Sequence, residues 1–87
     1  MSGITIAPNI RIGKNLVIYQ HVTIAKENKY KETIIEDDVI VGAGAVILNN
    51  VNIGRGAIIG DTAVVTKNVP PYSIAIGVPA RVITYRN

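Results

Sequence analysis

The stretch Ile35-Glu-Asp-Asp-Val-Ile-Val41-Gly-Ala-Gly-Ala-Val-Ile47-Leu-Asn-Asn-Val-Asn-Ile53-Gly-Arg-Gly-Ala-Ile-Ile59-Gly-Asp-Thr-Ala-Val-Val65 places a large aliphatic residue at every sixth position. Four positions after each comes a second apolar residue: Val39, Ala45, Val51, Ala57, Ala63 and Val69. The same beat runs earlier through Ile6, Ile12, Ile18 and Ile24, with Ile10, Leu16 and Val22 as the second column. A helix face returns every ~3.6 residues, so a period of six would smear around a helix. Short strands joined by tight corners fit it, which is the hexapeptide β-helix pattern.

Two further columns keep the same phase. Three residues after each large aliphatic stand Asn9, Asn15, His21, Asp38, Gly44, Asn50, Gly56, Thr62 and Asn68, mostly types that tolerate left-handed backbone or favour turns. The position directly after the aliphatic is often small: Ala7, Gly13, Ala25, Gly42, Gly54, Gly60. Three hexapeptides make one triangular coil, so the pattern predicts an all-β parallel β-helix of about three coils, stacked at the ~4.8 Å strand spacing.

Between Ile24 and Ile35 the spacing is eleven, and the inserted residues are polar and charged. A loop protruding over about residues 25–34 is expected, and in repeat proteins such insertions often lie on the binding face. The beat is expected to end at Val69-Pro70-Pro71, because proline cannot donate to a central ladder. Residues 71–87 then read as a turn and an extended segment that caps the last coil. The whole, 1–87, is expected to be one hexapeptide-repeat domain with repeats over 4–70. Counted back from Ile6, the chain opens partway through a repeat with no capping segment, although solenoid ends are strand edges that need covering.

Of the 87 residues 48% are apolar, yet there is no Phe or Trp. A narrow prism of Ile, Val and Ala layers suits that composition. The absence of cysteine excludes disulfides and thiolate metal sites, and no metal is expected. No apolar run approaches the ~20 residues of a membrane helix. No secretory signal is visible either, so a cytoplasmic protein is expected. The net charge is +3, but the basic residues are scattered and no aromatic-interleaved basic stripe points to nucleic acid.

Four segments carry a family likeness: Asn15-Leu-Val-Ile-Tyr-Gln-His-Val-Thr-Ile24, Val41-Gly-Ala-Gly-Ala-Val-Ile47, Val64-Val-Thr-Lys-Asn-Val-Pro-Pro71 and Gly77-Val-Pro-Ala-Arg81. Over essentially residues 3–83 the chain resembles hexapeptide-repeat acyltransferases, closest to serine acetyltransferases and the relatives that O-acetylate sugars. The resemblance implies a left-handed coil, a homotrimer, and acetyl transfer from acetyl-CoA to a hydroxyl of a small acceptor in clefts between subunits. Such chemistry needs a base to take the hydroxyl proton and backbone N–H donors for the oxyanion.

The family's base histidine precedes a glycine that matches Gly3, which would put it upstream of Met1. A second family histidine matches the stretch Lys31-Glu-Thr-Ile34, which contains none. His21 is the sole histidine, and it stands either as a replacement base near the cleft or as a left-handed corner residue. Tyr19 and Gln20 beside it face a cleft or the outer strand surface. For the coenzyme, the resemblance implies Gly42, Ala43, Ala45 and Gly60 as small residues along the pantetheine arm, with Thr66, Lys67 and Arg81 near the nucleotide end. Three functional readings are left by the sequence: an acetyl-CoA-dependent O-acetyltransferase-like protein, a non-catalytic trimeric β-helix scaffold with or without coenzyme A binding, and a subunit whose site is completed by a partner that supplies an upstream coil and histidine.

Overall fold

The computed structural model describes residues 3, 5–6, 10–24, 32–48 and 50–86. Its strands follow the hexapeptide phase. A first coil holds β1 (Thr5–Ile6), β2 (Ile10–Ile12) and β3 (Val17–Ile18). A second holds β4 (Thr23–Ile24), β5 (Thr33–Ile35) and β6 (Ile40–Val41), and a third β7 (Val46–Ile47), β8 (Asn52–Ile53) and β9 (Ile58–Ile59). A fourth begins with β10 (Val64–Val65) and continues to β11 (Ser73–Ile76), after which β12 (Arg81–Tyr85) turns back. Stacking gives three faces: β1-β4-β7-β10, β2-β5-β8, and β3-β6-β9-β11-β12.

Every pairing is parallel except β11 with β12. Partners in the regular part stand one coil, 18 residues, apart: Val46 with Val64, Ile34 with Asn52, Ile40 with Ile58. Across the insertion they stand 23 apart, as Thr23 with Val46 and Val17 with Ile40, so five residues are absorbed without loss of register. Of the loop expected at 25–34, residues 25–31 lie outside the described residues, while Thr33 and Ile34 belong to β5.

At the other end the sequence expectation needs correcting. The beat does not stop at Val69-Pro70-Pro71; it slips by two. Ile58 pairs with Ile74 and Ile53 with Val69, each only 16 residues on. Val69 thus takes the inward place above Ile53, and Ala75 the place above Ile59. Val69 still exchanges ladder bonds (its N–H to Asn52 O at 2.9 Å, its carbonyl from Gly54 N at 2.8 Å), so the prolines fall just beyond the last pairing that needs a donor. The slip also moves the corner. Asn15, His21, Asp38, Gly44, Asn50, Gly56 and Thr62 all have φ between 58° and 71°, as the corner column predicts. Asn68 does not; Tyr72, with φ 58°, takes its turn instead.

The interior is three stacked aliphatic columns, Ile24-Ile47-Val65, Ile35-Ile53-Val69 and Val41-Ile59-Ala75, joined by Val22, Val39, Ala45, Val51, Ala57 and Ala63, all buried. The small residue after each aliphatic has a definite purpose. A side chain on Gly13 would strike Asp37, one on Gly42 would strike Asp61, and one on Gly54 would lie 2.7 Å from Pro71 Cα. In the first two cases the carboxylate of the next coil caps the corner below. Asp37 Oδ1 accepts from Lys14 N (2.7 Å), and Asp61 Oδ1 from Ala43 N (2.9 Å).

The C-terminal segment covers the last-coil edges of two of the three sheets. Gly77 (φ 98°) opens a turn whose carbonyl accepts from Val64 N (3.0 Å), while Ala80 N donates back to Val64 O (2.8 Å). That turn stands where the next strand above β10 would be. β12 covers the outer edge of β11, and Arg86 ties its end down through Nη1 to Gly56 O (2.7 Å). Among the described residues no helix is long and apolar enough to cross a membrane.

Candidate functional site

The turn that covers β10 also builds a cavity. Residues Thr66 and Lys67 leave the end of β10. The two backbone bonds to Val64 set Pro79, Ala80 and Arg81 beside them, enclosing about 180 Å³. The walls are Pro79 and Ala80; the charged groups are Lys67 and Arg81, both exposed. No carboxylate lines the cavity, and among the described residues neither cation forms a salt bridge. Two unneutralised cations beside an apolar wall suit a ligand with a phosphate-bearing end: guanidinium binds phosphate as a fork and ammonium as a point charge.

So the three residues expected near the nucleotide end come together, Arg81 from fourteen positions beyond Lys67. The small residues do not join them. Gly42 is buried beneath Asp61 of the next coil, and Ala45 is fully buried in the core. Ala43 gives its N–H to Asp61, and Gly60 lies against Ile76. The space seen in the sequence at Gly42 and Gly60 is filled by the stacked coil.

His21 is exposed at a corner with φ 61°, and its ring lies over Gly3: a methyl built there would fall 2.9 Å from Cε1. Tyr19 and Gln20 next to it are exposed. None of the three lines the cationic cavity.

A second hollow of about 380 Å³ was not foreseen. It lies on the β2-β5-β8 face and is lined by Arg11, Glu36, Asp37 and Arg55 over Ile12 and Ile34. Its residues come from three coils, so only the 18- and 23-residue register could have grouped them. Its polar groups are largely engaged. Arg11 pairs with Glu32 at 2.9 Å, and Glu36 accepts from Arg55 N (2.9 Å) and Asn52 Nδ2 (3.2 Å). Among the described residues no cluster of His, Asp and Glu is arranged to hold a metal ion.

The chain is similar to proteins of known activity. Residues 32–67 match the family described as bacterial transferase hexapeptide (six repeats). The serine acetyltransferase of Bacillus licheniformis is 38% identical over 84 residues, covering 93% of this chain and 39% of that protein. Among solved structures, Neisseria gonorrhoeae serine acetyltransferase in complex with serine superposes with a TM-score of 0.87 at 33% identity, over 94% of this chain and 34% of that one. A maltose O-acetyltransferase from Clostridium difficile gives 0.81 at 31% identity, over 90% and 49%. The chain therefore spans well under half the length of the serine acetyltransferases it matches, and the part it spans is a left-handed β-helix. Over the part that it spans, the chain is similar to the hexapeptide-repeat acyltransferases of the serine acetyltransferase-like branch.

Proposed function

We propose that the chain is the coenzyme-binding β-helix of an acetyl-CoA-dependent O-acetyltransferase whose acceptor is the hydroxyl of serine or of a sugar. The observation that carries the proposal is the convergence of Thr66, Lys67 and Arg81 around one cavity with no counter-charge in its lining. In such a reaction the acceptor oxygen attacks the thioester carbonyl as a base takes its proton, and the coenzyme leaves as the thiol. The role of the cavity is to anchor the nucleotide end so that the thioester is held at a fixed reach from the acceptor. The serine and maltose enzymes of similar fold supply the two acceptor classes.

A homotrimer is part of the proposal. On the β3-β6-β9-β11 face the outward column is Val17, Ile40, Ile58 and Ile74, in direct register. Val17 is 45% exposed and the others are half-buried in the single chain. A column of aliphatics on the outside of a sheet is what a subunit interface covers.

His21 divides the enzyme from its alternative, a trimeric scaffold that binds coenzyme A without turning it over. Its left-handed backbone and its packing on Gly3 favour the corner role. Turnover of acetyl-CoA with serine and with maltose, in the wild type and in His21→Ala, tests this. The expected result is transfer that changes by less than about threefold in the variant. A loss of about 10²-fold or more would make His21 the general base. Coenzyme binding without any turnover would select the scaffold.

A further inference from the structure

We propose that Gly60 is a positioning residue for the cationic cavity, acting through Ile76 on Arg81 and not by touching the coenzyme. The proposal rests on the acetyl-CoA reading above and assigns one of its residues a different task.

Three strands place these residues in one row. Gly60 follows the end of β9 and donates its N–H to Ala75 O (2.9 Å), which sets it beside Ile76 on β11. Ile76 is the cross-strand partner of Arg81 on β12. Ile76 also immediately precedes Gly77, whose carbonyl pins the cavity turn to Val64. The row Gly60–Ile76–Arg81 therefore runs from the prism to the cavity wall.

The glycine is required by this row and not by its own backbone. Gly44 and Gly56 have φ of 71°, which only glycine adopts freely, whereas Gly60 is not in the left-handed region. A methyl on Gly60 would stand 2.5 Å from Ile76 Cγ2, 3.3 Å from its Cβ and 3.5 Å from Ala75 O. The 2.5 Å contact with Cγ2 is the severe one: Ile76 branches at Cβ and has few χ1 positions by which to carry a γ-carbon away, while the 3.3 Å approach to Cβ is eased by a few tenths of an ångström. The strand carrying Ile76 must then shift outward. Arg81 is paired to it, and no residue of β12 is buried to resist the movement.

Coenzyme A and pantetheine separate positioning from contact, because pantetheine lacks the nucleotide phosphates that Lys67 and Arg81 would hold. The experiment is NMR-detected titration of the wild type, Gly60→Ala and Gly60→Ala/Ile76→Ala with each ligand. Gly60→Ala is expected to weaken coenzyme A by about tenfold, the order of one displaced charged contact, and to leave pantetheine unchanged. Adding Ile76→Ala, a side chain already 43% exposed, is expected to restore most of the loss. Equal weakening of both ligands, or no recovery in the double variant, would overturn the proposal. If the wild type binds no coenzyme A, the acetyl-CoA reading fails by itself, and hydrogen exchange then decides the positioning. Faster exchange of the Ile76–Arg81 amides in Gly60→Ala upholds it; unchanged exchange overturns it.

Discussion

Ile47→Ala is expected to lower the unfolding free energy by about 3 kcal/mol, while Val46→Ala, its neighbour on the same strand, costs less than about 1 kcal/mol. Ile47 has no exposed surface and sits in its column between Ile24 and Val65; Val46 points out from the prism. No aromatic ring borders the vacated space: the chain has no Phe or Trp, Tyr19, Tyr72 and Tyr85 are exposed, and the interior is built of Ile, Val and Ala. The layers above and below are fixed by ladder hydrogen bonds at strand spacing, so the cavity left by the missing atoms persists. Against a total stability of about 5–15 kcal/mol for a domain, a loss of that size is plain in a urea titration followed by circular dichroism. The variants must be compared at one protomer concentration, because subunit association adds to apparent stability. Equal costs for the two substitutions would mean that β7 does not alternate inward and outward as described.

Gly42→Ala is the second large effect, about 3 kcal/mol, and it should exceed that of Gly44→Ala, about 1 kcal/mol. The order is the reverse of what backbone angles alone suggest. Gly44 has φ 71° and Gly42 does not, so a side chain at 44 is strained by its own conformation. Yet a methyl at 44 meets nothing nearer than Thr62 Cγ2 at 3.4 Å, an ordinary contact. At 42 it would stand 2.6 Å from Asp61 N and 2.9 Å from Gly60 C, both backbone atoms of the next coil, which cannot rotate away. Relieving that overlap means lifting one coil off another, with the bonds Gly42 N to Ile59 O and Ala43 N to Asp61 Oδ1 in its path. Thermal melts of the two variants rank them directly; a lower melting point for Gly44→Ala would contradict the stacking argument.

These two cases show what was legible in the chain. The coil geometry repeats, so each requirement of one coil is printed again six or eighteen residues later. Inward aliphatics, left-handed corners and small residues after the aliphatic all appear as columns. The two-residue slip before Val69 was not legible, because it happens once, and Pro70 and Pro71 read as an end of the beat and not as a change of its phase. Gly42 and Gly60 were legible only as small residues. From the sequence, a missing side chain is only a space; the structure shows Asp61 and Ile76 filling it. Lys67 and Arg81 were expected to be near one another by resemblance, but what brings them together is the Gly77–Ala80 turn standing in for a strand above β10. A turn used once has no period and so no signature in the pattern. The hollow between Arg11, Glu36 and Arg55 escaped for a different reason, since its members share no column and meet only through the 23-residue register across the insertion and the 18-residue register beyond it.

The central claim is that the cavity at the end of β10 holds the phosphate-bearing end of coenzyme A. Calorimetric titration of the wild type and of Lys67→Ala/Arg81→Ala with coenzyme A tests it most directly. The account predicts saturable binding to the wild type, weakened by about 10²-fold in the double variant, as expected for two lost charge-assisted phosphate contacts. It also predicts an unchanged melting temperature for that variant, because both side chains are exposed. Wild-type protein that binds no coenzyme A, or a double variant that binds it as tightly as the wild type, would contradict it.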